Sequence, residues 1–387
     1  MNDDKIQITL EDFPNDIYIQ LEDDFRAEFF KTAWKLNKSY RHLAKKIGVS
    51  NTTMLSFRRG KDIAKLDKSI SIKHLKDILN YCKDSGNPIF DFDIVQKHIK
   101  YIRARHGIKI YNPKLPIGDS IELREIITHL ICDGSALIEK HRTSKYASTS
   151  LETVNEFKEK LPIFGDIPNL LIREETYTNH YLKCYVLNFS KAITKILTKK
   201  FNIDFRGDIA RLPKEFFECE RKLLIAIVRA FLIDEGCIRD RTINFCSGSM
   251  KLLEDLQQIC NSLVYKCQNI RKSGGTYYLN ISPDSFAKVY EDLALLGKLT
   301  IADKQERLDL GMKIINNSPK FHNLDKDILF NLENPITTLE LSKILLINAK
   351  TITERLNRLQ KSGLVQRNET RNLGKGGSFS WKIRHPH

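Results

Sequence analysis

The 387-residue chain lacks any run of about 18 apolar residues, the length a helix needs to cross a bilayer, so no membrane span is expected. Its first residues, MNDDKIQITLEDF, lack the positive-then-apolar pattern of a secretory signal. Eight cysteines are present (Cys82, Cys132, Cys184, Cys219, Cys237, Cys246, Cys260 and Cys267), yet no two form a CxxC pair, which removes the usual spacing of a zinc site. Several lie inside apolar helix or strand patterns, as buried thiols do. The expectation is an intracellular, cytoplasmic protein with neither disulfides nor zinc. No serine or tyrosine nucleophile sits in a matching cluster, which argues against a recombinase of either type.

What the chain does contain is a pair of unusual segments, residues 126–134 (IITHLICDG) and 228–236 (VRAFLIDEG). Each is an apolar run of helical length that stops on an acid followed by glycine. An amphipathic surface helix would alternate its faces; runs that are apolar nearly all round belong inside. Glycine suits a helix C-terminus, where a left-handed residue is cheapest. A carboxylate there faces the negative end of the helix dipole. If the helices pack together, Asp133 and Glu235 also repel each other, and a divalent cation between them relieves both costs.

The similarity extends beyond the two runs. Residues 146–157 (YASTSLETVNEF) match 245–256 (FCSGSMKLLEDL), and 185–190 (YVLNFS) match 277–282 (YYLNIS), in the same order with similar spacing. In the last segment Tyr277, Leu279 and Ile281 alternate with Tyr278, Asn280 and Ser282, as a half-buried strand should. Each copy reads as helix, strand, strand, helix, strand, strand, helix. Two α+β units about a pseudo-twofold, with the apolar helices as the dyad contact, are the natural structure, and such symmetry fits duplex DNA.

Charge agrees with that partner. The chain carries +15 overall, divided as −7 over residues 1–25, +13 over 26–110, +3 over 111–319 and +6 over 320–387. Positive charge therefore concentrates in the two flanks, an electrostatic footprint for phosphates, although a merely basic surface reads the same way.

Each flank holds a motif. Residues 40–61 read YRHLAKKIGVSNTTMLSFRRGK. Ala44 is small where two helices approach, Gly48 supplies the turn, Val49 buries into the pair, Ser50 caps the next helix, and Met54 and Leu55 face inward. This resembles the helix-turn-helix of phage repressors, whose second helix enters the major groove. The resemblance implies base contacts from Asn51, Thr52, Thr53 and Ser56, and phosphate contacts from Arg58 and Arg59. At the other end, helices over 325–331, 338–345 and 349–362 (capped by Asn348) precede a hairpin of 365–371 and 378–384 around the glycines of 374–377. This looks like a winged helix of prokaryotic transcription regulators. Lys350, Thr351, Arg355 and Arg358 then lie on its third helix, and Arg371 and Lys375 on the wing. Protein contact is the other use of both motifs.

The core, over about residues 118–315, is similar to the LAGLIDADG (dodecapeptide) homing endonucleases in their single-chain, two-repeat form. The carriers are LICDGS (130–135), RAFLIDEG (229–236), FCSGSMKLLEDLQ (245–257) and LGKLTIADKQERL (296–308). The resemblance implies an α+β fold with a duplicated αββαββα core, here flanked by two all-α or mostly-α helix-turn-helix domains. Five segments are expected: an acidic arm (1–25), a helix-turn-helix domain (26–112), repeat one (113–212), repeat two (213–318) and a winged helix (319–387). It also implies that Asp133 and Glu235 bind Mg²⁺ and that double-stranded DNA is cut on both strands by a monomer that uses no membrane. Catalytic assistance would come from Lys304, with Arg206 as its counterpart, a departure because arginine cannot act as a base. DNA-reading strand residues would be Lys140, Arg142 and Lys145 in repeat one, and Arg239, Arg241, Arg271 and Lys272 in repeat two.

Other departures are Thr128, Cys132, Ala230 and Asp234 at the small-residue interface positions. Asp234 beside Glu235 leaves the register of the second motif ambiguous, although Gly236 favours Glu235. His129, where the family often has leucine, reads as a core histidine, with an approach to the site as the alternative. A DNA-binding regulator built on the same core, associated with the nucleoid and without cleavage, is the alternative function. The acidic residues 1–24, with a short strand at 17–21, are expected to form a solvated arm; folding over a basic groove as a DNA mimic is the alternative. His385 and His387 read as an exposed tail.

Overall fold

The acidic N-terminus does not form the solvated arm that its charge suggests. In the computed structural model, which describes residues 6–35, 39–60, 69–85, 90–135, 143–177, 182–206, 209–316, 324–369 and 379–384, Ile8, Leu10 and Phe13 have no exposed surface. Three apolar anchors within six residues outweigh the hydration of the acids between them. Acids in and after this stretch are paired as well: Asp12 meets Lys200 at 3.0 Å, Asp16 meets Lys195, and the Phe13 carbonyl accepts from Lys199 at 2.8 Å. Lys140, Arg142, Arg371, Lys375, the 374–377 turn and the tail at 385–387 lie outside the described residues.

The protein is a mixed α+β chain that divides into two compact units, residues 1–235 with 247–259, and residues 236–246 with 260–387. No helix among the described residues is long and apolar enough to cross a membrane.

The first unit begins with β1 (Gln7–Ile8), β2 (Ile17–Leu21), α1 (Asp23–Lys35), α2 (Tyr40–Lys46), α3 (Asn51–Arg59), β3 (Ile70–Ser71), α4 (Ile72–Asp84), α5 (Phe92–Gln96), β4 (Ile99–Ala104), β5 (Ile110–Tyr111) and β6 (Ile117–Gly118). A four-stranded sheet in the order β3-β2-β4-β5 forms, and β1 pairs with β6. The α2–α3 turn follows its sequence signals closely. Ser39 and Ser50 accept from the backbone N–H groups of His42 and Thr53, and Gly48 turns the chain at φ +70°. Ala44 is buried as required, while Val49 and Leu55 are half-buried. The end of α3 is held by Arg26, only 7% exposed, which donates to the carbonyls of Leu21, Arg58 and Arg59 at 3.1–3.4 Å. A cation at the negative end of a helix is favourable, and here it fixes α3 to α1.

Next come α6 (Ile121–Cys132), β7 (Gly134–Ser135), β8 (Thr143–Ser148), α7 (Leu151–Lys160), β9 (Ile172–Tyr177), β10 (Leu182–Ser190) and α8 (Lys191–Phe201), with the sheet order β7-β8-β10-β9. Helix α9 (Arg221–Asp234) packs along α6, and α10 (Met250–Ser262) follows.

In the second unit, β11 (Gly236–Arg239), β12 (Thr242–Ser247), β13 (Arg271–Ser273) and β14 (Thr276–Ile281) repeat the topology as β11-β12-β14-β13, followed by α11 (Phe286–Ala294) and α12 (Ala302–Asn316). The duplication holds at the level of register. Gly134 pairs with Tyr146 across β7–β8, and Gly236 pairs with Phe245 across β11–β12. Each glycine therefore opens a strand directly after its acid.

The unit ends with α13 (Leu324–Phe330), β15 (Ile336–Thr337), α14 (Thr338–Leu345), α15 (Ala349–Lys361), β16 (Val365–Glu369) and β17 (Phe379–Ile383) around a small core of Ile328, Leu341, Ile352, Leu356 and Trp381. A Thr337–Glu340 capping box starts α14, and Asn348 caps α15 through the Thr351 N–H at 2.7 Å.

Candidate active site

Helices α6 and α9 are the inner wall of the first unit. Every residue from Leu123 to Ile131 of α6, and from Leu224 to Ile233 of α9, is buried, which is why both runs are mostly apolar. Thr128 and Ala230 are fully enclosed, small side chains that permit close packing. The helices run in the same direction, since Glu125 meets Arg229 and, further toward the C-termini, His129 meets Asp234.

Both helices end on an acid. Asp133 is the C-cap of α6, its N–H bonded to the His129 carbonyl at 2.9 Å; Glu235 is the C-cap of α9, its N–H bonded to the Phe231 carbonyl at 2.8 Å. The acids are thus equivalent in backbone position and emerge together at the same end of a parallel pair. Asp133 is exposed and Glu235 half-buried. Their common field is visible at Cys132: burial, then the charges of Asp234, Glu235 and Asp133, push its thiol well above the usual range.

The two acids of the second motif differ in burial. The Asp234 side chain has no exposed surface, accepts from the Tyr146 hydroxyl at 2.8 Å, and lies 2.8 Å from His129 Nδ1. A carboxylate only accepts, so the proton of the His129 contact is on Nδ1. Asp234 is therefore consumed by an internal network, whereas Glu235 occupies the cap. His129 is a core histidine, fully buried.

Two C-terminal dipoles add negative potential at this end of the helix pair, and carboxylate oxygen is the donor a hard divalent cation prefers. Among the described residues, no group of three or more His, Cys, Asp and Glu side chains is arranged to hold a metal ion, so the candidate donors are the two cap carboxylates.

The remaining expected residues fall into different environments. Lys304 lies half-exposed in the first turn of α12. Arg206 is exposed and bound to Asp204. In the repeat-one sheet, Lys145 pairs with Glu175 at 3.8 Å. In the repeat-two sheet, Arg239, Arg271 and Lys272 are exposed and Arg241 half-exposed, with Lys272 stacked 5.2 Å over the Tyr277 ring. On α3, Asn51, Thr52, Arg58 and Arg59 are exposed and Thr53 is half-exposed, its hydroxyl 2.9 Å from that of Ser50. Ser56 is a correction. It is 7% exposed and its hydroxyl donates to the Thr52 carbonyl at 2.9 Å, so it faces the interior beside Met54 and Phe57.

On α15, Lys350 is exposed and Thr351 half-exposed, but Arg355 and Arg358 both engage Asp325 of α13. The Ala349 N–H donates to Asp240, in the β11–β12 turn, at 3.0 Å. Residues that sequence reasoning passed over include Arg173, which pairs with Val186 just as Arg271 pairs with Tyr278. The repeat alignment of 185–190 with 277–282 contains the signal that would have found it. Glu125, Glu156, Lys160 and Arg229 form a buried ion cluster between α6, α7 and α9, with Arg229 to Glu125 at 2.9 Å and Lys160 to Glu125 at 3.1 Å.

No family model matches the chain, and no curated protein matches it. Among solved structures, the chain is similar to the homing endonuclease I-WcaI bound to its DNA recognition sequence (12% identity, 49% of this chain and 85% of that one, TM-score 0.37). It is also similar to I-DmoI in complex with DNA and Mn (12%, 45% and 96%, 0.33). A third is full-length DUF199/WhiA from Thermatoga maritima (13%, 63% and 92%, 0.34). The likeness is partial in each case.

Proposed function

We propose that the chain is a sequence-specific DNA endonuclease of homing type that hydrolyses both strands in a Mg²⁺-dependent reaction. The observation that carries this reading is the equivalent placement of Asp133 and Glu235 as C-caps of two parallel, buried helices. Each acid belongs to one repeat, so one carboxylate serves each strand and the product is a staggered break. Asp133 and Glu235 would hold the cation. Bound there, Mg²⁺ supplies water activation and charge stabilisation of the attacking and leaving oxygens. Lys304, on the helix after repeat two, assists as charge develops; Arg206, always protonated, clamps phosphate instead.

The chain works as a monomer on duplex DNA. Its sheet residues Lys145, Arg239, Arg241, Arg271 and Lys272 face the duplex, and α3 and α15 lengthen the site through Asn51, Thr52, Thr53, Arg58, Arg59, Lys350, Thr351, Arg355 and Arg358. The Asp325 contacts of Arg355 and Arg358 have to be exchanged for phosphate contacts, which lowers their net gain. A cleavage-silent regulator is the second reading, favoured by the two helical modules with basic ends that lie outside the repeats.

The test is incubation of the purified chain with its own genomic locus and flanking DNA, with Mg²⁺ or with EDTA. Magnesium-dependent cutting that Asp133→Asn abolishes is the expected result. Tight binding that needs no magnesium, produces no cut and is unchanged in Asp133→Asn overturns the enzyme in favour of the regulator.

A further inference from the structure

We propose that His129, Asp234 and Tyr146 are positioning residues, a buried interlock across the α6–α9 contact that sets the separation of Asp133 and Glu235. The proposal rests on the reading of those two acids as a cation-binding pair and adds what holds them in place.

Two covalent and hydrogen-bonded routes connect the acids, and both close on Asp234. Along the first, the Asp133 N–H bonds to the His129 carbonyl at 2.9 Å, and the His129 ring lies 2.8 Å from the Asp234 carboxylate, one peptide from Glu235. Along the second, Gly134, the residue after Asp133, pairs with Tyr146 across β7–β8, and the Tyr146 hydroxyl donates to Asp234 at 2.8 Å. The Tyr146 hydroxyl also lies 3.4 Å from His129 Nδ1, and the two rings meet edge-on at 5.6 Å, so the routes brace each other. All three side chains are fully buried.

Stability alone does not explain such a group. Burying a carboxylate and an imidazole costs desolvation that an apolar contact avoids, and replacing a buried polar group by well-packed apolar residues is often neutral or stabilising. The other repeat carries apolar side chains at the equivalent sequence positions. At the positions equivalent to His129, Asp234 and Tyr146 in the other repeat stand Phe231, Cys132 and Phe245. The polar set occurs on one side only, and it sits beside the acids, where a fixed geometry is worth more than added burial.

The equivalent residues also supply the test. The full-length variant His129→Phe/Asp234→Cys/Tyr146→Phe places the residue types of the other repeat at these three positions, and Tyr146→Phe alone is the mild version. Three quantities are read: urea unfolding, binding of Mn²⁺ alone by electron paramagnetic resonance, and the Asp133–Glu235 carboxylate separation in crystals. Expected are cooperative unfolding at undiminished stability, Mn²⁺ affinity lower by about tenfold, and a separation changed by more than about 0.5 Å. Tyr146→Phe, which leaves the carboxylate buried with one donor fewer, loses some stability and gives a smaller change of affinity and separation in the same direction. A purely structural role would lower stability and leave the affinity of the folded fraction intact. Wild-type Mn²⁺ affinity together with an unchanged separation overturns the interlock. If the wild-type chain binds no Mn²⁺ and Asp133→Asn changes nothing, the cation reading fails. The crystal separation then still decides the interlock: unchanged sinks it, changed supports it.

Discussion

Helices α6 and α9 have the same length class, the same burial and the same acidic cap, yet they differ in how they carry polar groups. Helix α6 presents Glu125 and His129 to its partner; at the equivalent places α9 has Ile227 and Phe231. In return, α9 presents Arg229 and Asp234 where α6 has Ile127 and Cys132. Each polar residue meets a partner on the opposite helix, so neither helix could pack this way against a copy of itself. A duplicated core has been converted into an obligate pair of unlike halves. The pairing specifies which helix lies against which, and at which register, a use of buried polar groups that hydrophobic contact alone does not provide.

The largest way to break this asymmetry is at the ion cluster. Arg229→Met leaves Glu125 and Glu156 with Lys160 as the cation that both still contact. Loss of one member of a buried pair costs about 3–5 kcal/mol. The equivalent change on the other helix, Ile127→Val, removes one methylene and costs about 1 kcal/mol. Urea unfolding of both variants checks the difference, and equal losses would show that the cluster is no more than filler.

The sheets differ in the same spirit. Strand β9 follows the exposed Arg173 with Glu174 and Glu175, which pair with Lys183 and Lys145, whereas the matching strand β13 follows Arg271 with Lys272 and Ser273, so the two sheets share an arginine and differ in charge beyond it. Phosphate binding should therefore fall mainly on repeat two. Arg271→Ala with Lys272→Ala is expected to weaken duplex binding roughly tenfold at low salt and to lower the salt slope by about 1 per side chain. Lys145→Ala, already paired, should change affinity by less than about twofold. Binding measured across a salt series separates the two; a larger loss for Lys145→Ala would reverse the assignment.

These contrasts mark how far the sequence was legible. Local signals carried well. The limits of α14, the Ser50 and Asn348 caps and the Gly48 turn came from chemistry within a few residues, where spacing encodes geometry directly. The strand–helix order of both repeats came from aligning the chain with itself, and the acids at 133 and 235 came with it. Burial of His129 was also readable from its apolar surroundings. Its partner was not, because Asp234 lies 105 positions away and nothing local says that one carboxylate of an Asp-Glu pair turns inward. The Arg229 cluster escaped for the same reason. Ser56 misled because the back-bond to Thr52 is set by which face of α3 meets the core, and the N-terminal acids misled because composition hides Ile8, Leu10 and Phe13.

The smallest chemical difference separates Tyr146 from its counterpart Phe245, which differ by one hydroxyl. Tyr146→Phe removes one of the two donors to the buried Asp234 carboxylate and should cost about 1–2 kcal/mol at neutral pH. The hydroxyl also gives the pair a pH signature. Burial first, then the Asp234 charge and hydrogen bond, hold the Tyr146 phenol well above its ordinary value. The folded state thus keeps this proton more tightly than the unfolded chain does. The associated stability is fully present below the unfolded value of about 10 and is lost as pH rises above it toward the folded value. Urea midpoints of the wild type should fall across that alkaline window, and those of Tyr146→Phe should start lower but fall less. Parallel curves for the two proteins would mean that the hydroxyl is not the group titrating, and that the two repeats differ less at this position than their hydrogen bonds imply.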